Sequence, residues 1–416
     1  MSFRFQRIAA DYREYLARFY ARQPDLAGQS YAEQYAALMH DAMERFDAYS
    51  VALAKLGYET DEIVADAEPM QKRWAHEHSV TYGEGTWMVD IVLAQIQAFR
   101  PEVLFLNTWI PEFGVAFVRR CRESCPSVKI VIGWVGEAHP GVAYFKEHDL
   151  VLSCAPDTVE YLRSQGIPSR QIHHAFDPRI LERIEIPQEK SIDLGFIGHI
   201  YFGQQYHNAR VQAFYAIARQ VDLTIYGSMS NVAYRPRGIK RYLRRGYYDG
   251  LELLRRLKLE TVARSLPRYD DWLEIRQRAP YVSFYAFLRD RVRPPVFGLD
   301  MYRTLAGFKI CLNAHGPSAY ASNMRLYETT GVGVCLLTDW KPNLPDLFEL
   351  DSEVVAYRSA EEAVEKARYL LDHRTERKAI AAAGQRRTLR DHTYAQRAEE
   401  LDAIITDYWR SGYKVS

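Results

Sequence analysis

Short apolar runs alternate along the chain with stretches in which apolar residues recur every three to four positions, a pattern that predicts parallel strands joined by helices. The second half shows it best. Residues 192–198 read as a strand ending in a glycine turn, and 222–227 repeat that pattern after a helix over about 209–219. Three more strands are expected at 308–313, 333–339 and 353–357. Ser359 and Glu362 then have the spacing of a capping box, each side chain able to satisfy a free amide at a helix start. Helices follow to Trp409, broken at Gly384 and around Asp391, His392 and Thr393.

The first half repeats the theme less regularly. Strands are expected at 103–107, 129–134, 150–154 and 172–175, with 3–9 as the first. Between Ser50 and Asp66 the pattern gives a helix, a turn at Gly57 and a strand through Glu62, Ile63 and Val64. The polar and aromatic segment 12–45 reads as a helical insertion over the sheet. A polar junction over 184–190, carrying Pro187, separates the two strand series and divides the chain into domains at 1–186 and 187–392. The expected fold class is α/β: two Rossmann-like domains with helical insertions, facing each other across a cleft at the C-terminal ends of two parallel sheets, where ligands bind in such folds.

Composition narrows the function. A chain of 416 residues, 48% hydrophobic and 26% charged, can bury the cores of two or three ordinary globular domains. Its 54 basic and 53 acidic side chains leave a net charge of +1, which argues against a nucleic-acid coat. No stretch reaches about 18 consecutive apolar residues, the minimum for a membrane-spanning helix. The first residues lack the apolar run of a secretory signal. The five cysteines are few and lie mostly in apolar segments, so reduced thiols and a cytoplasmic location are expected. Cys121 and Cys125 have no partner pair at metal-ligand spacing and read as core residues.

Candidate chemistry concentrates in 323–334, where a loop enters a helix that ends in glycines and feeds a strand. Amides at that helix start and the fork of Arg325 can bind phosphate, and Glu328, one turn further in, can accept hydrogen bonds from two neighbouring hydroxyls. The alternative is a surface Arg–Glu pair and a glycine stop. Gly198 to Gly203 lacks the Lys-Ser/Thr of a P-loop, and the Gly-x-Gly-x-x-Gly dinucleotide fingerprint is absent. With no Asp-x-Asp anywhere, a carboxylate-held divalent metal is not indicated, and no Gly-x-Ser-x-Gly elbow supports a serine triad.

Glu137 and His139 follow the strand 129–134 at the expected cleft edge, where either could be a general base or simply a turn residue. His173 and His174, adjacent in a predicted strand, face opposite ways, so at most one reaches the cleft. Arg235, Arg237, Lys240, Arg241, Arg244 and Arg245 form a run without acids, interleaved with Tyr242 and followed by Tyr247 and Tyr248. Such a run either meets an anionic partner, such as lipid headgroups, a phosphorylated acceptor or nucleic acid, or is a solvated face.

A long ordered series of matches over about 192–398 gives the chain a specific resemblance. It includes Val296 to Tyr302, Phe308 to Asn313, Asn323 to Asp339, Asn343-Leu344, Leu347 to Glu349, Glu353 to Val355, Ala379 to Gln385 and His392 to Tyr394. This half resembles the group-1-like glycosyltransferases of the GT-B fold, within them the spore-maturation CgeB-like set. The resemblance implies a glycosyltransferase, cytoplasmic or peripheral at the inner membrane face, that moves a sugar from a nucleotide-sugar donor to a hydroxyl of a glycan, lipid-linked or protein acceptor. No metal, no bound cofactor and no nucleic-acid partner are expected. Glu328 would hold the donor ribose and Arg325 the diphosphate. Gly198, His199, Gly227, Asn313, His315 and Asn323 would complete the donor site, and the segment 393–416 would cross back to the first domain. Retaining members carry a second glutamate eight residues before the first; here that position is Tyr320. Their Arg and Lys after the first glycine turn are replaced by His199 and, further on, Arg210. A nucleotide-sugar 2-epimerase of the same architecture and a non-catalytic binding protein are the alternatives.

Overall fold

The computed structural model describes residues 2–43, 47–107, 110–136, 140–201, 205–230, 239–267, 269, 287–316 and 318–411. Side chains over 201–209, of residues 230, 239–242, 244 and 245 are outside the described set as well.

Two six-stranded parallel sheets organise the molecule. The first contains β1 (Arg4–Ala9), β2 (Glu59–Val64), β3 (Val103–Asn107), β4 (Ile130–Trp134), β5 (Leu150–Ser153) and β6 (Ser169–Gln171), in the order β2-β1-β3-β4-β5-β6. The second contains β7 (Ile192–Ile197), β9 (Leu223–Tyr226), β11 (Val292–Arg293), β12 (Phe308–Asn313), β13 (Cys335–Asp339) and β14 (Val355–Tyr357), in the order β11-β9-β7-β12-β13-β14. The short strands β8 (Ile200–Tyr201) and β10 (Met229–Ser230) pair in parallel beyond the ends of β7 and β9. Strand order in the second sheet reverses between β7 and β12, and the crevice of a doubly wound fold opens at such a reversal.

The central strands are buried on both faces and therefore read as continuous apolar runs, as in Leu104, Phe105 and Leu106 of β3. Where a strand lies at an edge that signal fails. The strand expected at 172–175 lies instead at Ser169–Gln171, on the outer edge, and its residues are polar. The apolar residues after it continue into the next segment, with Ile172 still donating to the Ser153 carbonyl at 3.0 Å. The segment expected to be one helical insertion is broken into the helix Arg13–Arg22, a 3-10 turn Pro24–Gly28 and the helix Tyr31–Asp41, the last with a full capping box between Ser30 and Glu33. At Ser359 only half of the expected box forms. The Ser359 hydroxyl accepts from the Glu362 amide, but the Glu362 carboxylate takes the Arg358 amide. A second full box lies at Thr393 and Gln396.

The last helix, Tyr394–Arg410, packs Tyr394, Ala398, Leu401, Ile405 and Tyr408 into the core of the first sheet, beside Phe3, Phe5, Tyr49 and Tyr58. It reaches there through Thr393, which bridges in parallel with Phe176: Phe176 donates to the His392 carbonyl at 2.9 Å and accepts from the Tyr394 amide at 3.3 Å. Gly331 lies against this crossing, where a Cβ would stand 2.4 Å from the Phe176 ring. Among the described residues, no helix is long and apolar enough to cross a membrane.

Because Leu401 is fully buried against the first sheet, Leu401→Ala should cost about 2–5 kcal/mol, the range for deleting a buried leucine side chain. Urea unfolding followed by tryptophan fluorescence would show this as a lowered midpoint.

Candidate active site

A cleft of about 480 Å³ lies where the C-terminal ends of β7 and β9 meet the segment after β1. Gly198, His199, Gly227, Arg325 and Glu328 all line it, so the structure brings together five of the eight residues expected at a donor site.

The floor is made by two glycines at the same level in adjacent strands. Gly198 has φ +154°, a region that side-chain-bearing residues avoid, and its amide donates to the Tyr226 carbonyl at 3.0 Å. A Cβ on Gly227 would stand only 2.0 Å from the Gly198 carbonyl oxygen, so that residue too must lack a side chain. The pair leaves bare backbone facing the cavity. His199 then contacts Ser228 through Nδ1. Burial, and beyond it the nearby Arg210 guanidinium, hold this imidazole below its usual value, so it is neutral at pH 7. Arg210 itself lies under the turn rather than in the cavity, with its guanidinium 4.9 Å from the Phe196 ring centroid.

Arg325 and Glu328 form one unit on the helix Arg325–Gly331. Glu328 is only 4% exposed. Its Oε2 lies 2.7 Å from Arg325 Nη1 but out of line for a hydrogen bond, so the contact is a bare ion pair with acceptor capacity left on the carboxylate. Arg325 Nη1 also donates to the Met301 sulfur at 3.0 Å. The helix has only seven residues, so its dipole is small and positive charge at this end rests on Arg325 itself.

Asn313, His315 and Asn323 do not line the cavity; they pin the loop leading into that helix. Asn323 donates to the Asn313 side chain at 2.7 Å, and Asn313 donates to Thr338 at 2.9 Å. The backbone amide of His315 donates to Asp339 at 2.8 Å, and its ring Nδ1 lies 2.6 Å from the same oxygen. Burial opposes ionisation of Asp339, but the His315 hydrogen bonds and charge outweigh it and hold the carboxyl below its usual value. Asn343 grips both the amide and the carbonyl of Ala321, and the loop reaches the first domain where Ser318 and Ala319 donate to Asp157 at 3.1–3.2 Å. Glu137 and His139 lie outside the described residues. His173 and His174 do not line the cleft; the His174 ring packs 5.3 Å from that of Trp134.

The opposite wall escaped the sequence reading. Tyr12, Arg13 and Glu14 close the cavity from the first domain, and Pro295, Val296 and Phe297 from the second. The two segments are joined by Arg18, which donates to the Pro295 carbonyl at 2.8 Å, and by Arg22, which pairs with Asp300. The available signal was positional, because charged residues directly after a first parallel strand stand at the ligand-binding edge.

This architecture, two parallel sheets with interleaved helices and a cleft at their C-terminal edges, is the GT-B fold. Residues 210–403 match the family model described as glycosyl transferase-like. Anabaena HepE in complex with UDP-glucose is similar over 97% of this chain and 100% of its own, with a TM-score of 0.53 and 9% identity. An alpha-glucosyltransferase in complex with UDP and a 13-mer DNA is similar over 98% and 100%, with a TM-score of 0.56 and 10% identity. Sucrose-phosphate synthase from Thermosynechococcus elongatus is similar over 98% and 99%, with a TM-score of 0.51 and 11% identity. No curated protein matches the sequence. At such identities the structural likeness is one of fold, the GT-B architecture, and the glycosyl transferase-like match is to residues 210–403 of the chain.

Asp339 has a depressed carboxyl in the folded state, so the His315–Asp339 contact stabilises the loop above the unfolded pKa of about 4 and loses that contribution as pH falls through the lower folded value. Asp339→Asn should lower stability by about 1–2 kcal/mol at pH 7. Comparing denaturation of the two proteins at falling pH should show the gap narrowing below about pH 4.

Proposed function

We propose that the protein transfers a glycosyl group from a nucleotide sugar, bound in the cleft at Gly198, Gly227, Arg325 and Glu328, to an acceptor hydroxyl presented from the first domain. The observation that carries this reading is the pairing of bare glycine backbone with a buried Arg–Glu unit in one cavity. The Arg325 guanidinium suits a diphosphate, which the two glycines let approach without a side chain in the way, and a carboxylate with spare acceptor capacity suits the hydroxyls of a ribose. The named ligands UDP-glucose and UDP of the similar structures support the same donor class.

In this reading Arg325 stabilises the charge that develops on the departing diphosphate, without a metal, in keeping with a sequence that has no Asp-x-Asp pair. Glu328 fixes the ribose and holds Arg325 in place. Closure over the cleft favours the acceptor over water. Asn313, His315 and Asn323 act by positioning the loop. Glu137 or His139 takes the acceptor proton. Domain limits at 1–186 and 187–392, with 393–416 returning to the first domain, and membership of the CgeB-like set are part of the proposal, as is synthesis of a surface polysaccharide or other glycoconjugate.

Contact with a membrane surface is the finer proposal on location. Residues 235 and 237 and the side chains of Lys240, Arg241, Arg244 and Arg245 lie outside the described residues. The helix Ile239–Arg256 that carries the latter four nevertheless leaves Leu243 and Leu253 70% and 57% exposed, with Leu257 just beyond it at 59%. Exposed leucines on a helix whose sequence is rich in basic residues suit an anionic lipid surface.

A thermal-shift panel of UDP, GDP, dTDP, CMP and their sugar conjugates, without added metal, tests the donor site. One nucleotide should raise the melting temperature of the wild type, and the shift should vanish in Glu328→Ala and Arg325→Ala. A flat panel would sink the reading. Replacing Arg241, Arg244 and Arg245 by alanine should weaken sedimentation with phosphatidylglycerol vesicles severalfold while the nucleotide shift is kept; unchanged sedimentation would refute the membrane contact.

A further inference from the structure

The second domain has another cavity at the opposite end of its sheet from the cleft. About 520 Å³ is enclosed near the starts of β7, β12 and β13 by the first turns of the helix Arg374–Asp391, and none of its lining residues is shared with the cleft. Lys190, Lys309, Arg374, Arg377 and Lys378 line it, and Glu189 is the one acid among the lining residues.

Neutralisation of these cations is incomplete. Lys309 is paired with Asp193 at 2.6 Å, but Arg374 reaches Glu189 only at 4.0 Å. Lys190 donates to the Gly333 carbonyl at 3.1 Å, and Arg377, 7% exposed, uses Nη1 on the carbonyls of Leu370 and Leu371. Those partners carry no formal charge. Lys378 has no ion pair among the described residues.

Three costs therefore accumulate in one place. Arg374, Arg377 and Lys378 occupy the first two turns of an 18-residue helix, where the dipole disfavours cations. At spacings of three and four residues they also repel one another. Burial pushes the Lys190 amine down to about 8 and lowers Arg377 as well. A multivalent anion would relieve all three. The volume lies within the range of small-molecule sites, about 300–1,000 Å³.

We propose that this rear cavity binds a soluble phosphate-bearing anion of at least two phosphoryl charges, through Lys190, Arg377 and Lys378, at a site distinct from the donor cleft. Arg377 presents its remaining N–H groups to the phosphate, and the two lysines supply mobile point charges on either side. The site also abuts the segment that carries Arg325 and Glu328, because Gln385, a lining residue, donates to the Gly331 carbonyl at 2.9 Å.

Inorganic pyrophosphate is the probe, measured by titration calorimetry on the full chain. Wild type should bind it at the rear cavity, Lys378→Glu and Lys190→Met should each weaken that binding at least tenfold, and Arg325→Ala, which removes any pyrophosphate held in the cleft, should leave the rear-cavity binding in place. Lys378 is exposed and its charge is disfavoured at this helix start, so Lys378→Glu should not lower the melting temperature and the test does not depend on a disturbed fold. Absence of binding to wild type, an affinity unchanged in both lysine variants, or binding abolished by Arg325→Ala would each overturn the proposal. Displacement of pyrophosphate by phosphatidic acid vesicles would assign the phosphate to a lipid headgroup and overturn the soluble ligand. Because the nucleotide panel reads Glu328 and this titration reads Lys378, failure of one leaves the other standing.

Discussion

The geometry of the cleft depends on one place, where two passages of the chain between the domains run side by side. The backbone of Phe176, leaving the first domain, is hydrogen-bonded on both sides to His392 and Tyr394, which are returning to it. Gly331 must be glycine because the Phe176 ring fills the space a side chain would take. The helix that carries Arg325 and Glu328 thus ends against the crossing itself. Arg397 reinforces it, donating to the His174 carbonyl at 3.3 Å and lying 3.1 Å from His392. Two peptide hydrogen bonds are worth only about 1–3 kcal/mol in total, so the tie is strong mainly because apolar packing surrounds it.

From that fixed point the cleft is built by exclusion and by loop pinning. Two glycines bring backbone to the floor because each would collide with or distort the other strand if it carried a side chain. Beside them, His315, Ala319 and Ala321 of the loop before the helix bond to Asp339, Asp157 and Asn343, while Arg325 and Glu328 line the cleft. The division of labour is physical. Residues that hydrogen-bond within the loop hold its shape, and Arg325 and Glu328 line the cleft.

Much of this was legible in the sequence, for identifiable reasons. Buried parallel strands such as 308–313 announce themselves because both faces need apolar side chains, and Gly198 and Gly227 stand out because each terminates such a run. Arg325 and Glu328 are three residues apart, a spacing that places them on one side of a helix and is visible without the fold. The roles of Asn313, His315 and Asn323 were not legible, because an amide that binds a ligand and one that binds its own loop look alike in one dimension. Ser169–Gln171 escaped because an edge strand needs less apolar surface than the strands inside it. Tyr12, Arg13 and Glu14 escaped because their contribution arises from contacts near 280 residues away, such as Arg18 with Pro295, which no local pattern encodes.

The final helix carries a consequence for how the molecule is made. Tyr394, Ala398, Leu401 and Ile405 are core residues of the sheet whose first strand begins at Arg4. As the chain emerges from N- to C-terminus, the second sheet is complete at Tyr357, while the first still exposes the apolar surface that this helix will cover. Domains tend to fold as units during synthesis. Here the domain begun first is finished last, and its open core must wait through more than half the length of the chain for its closing element.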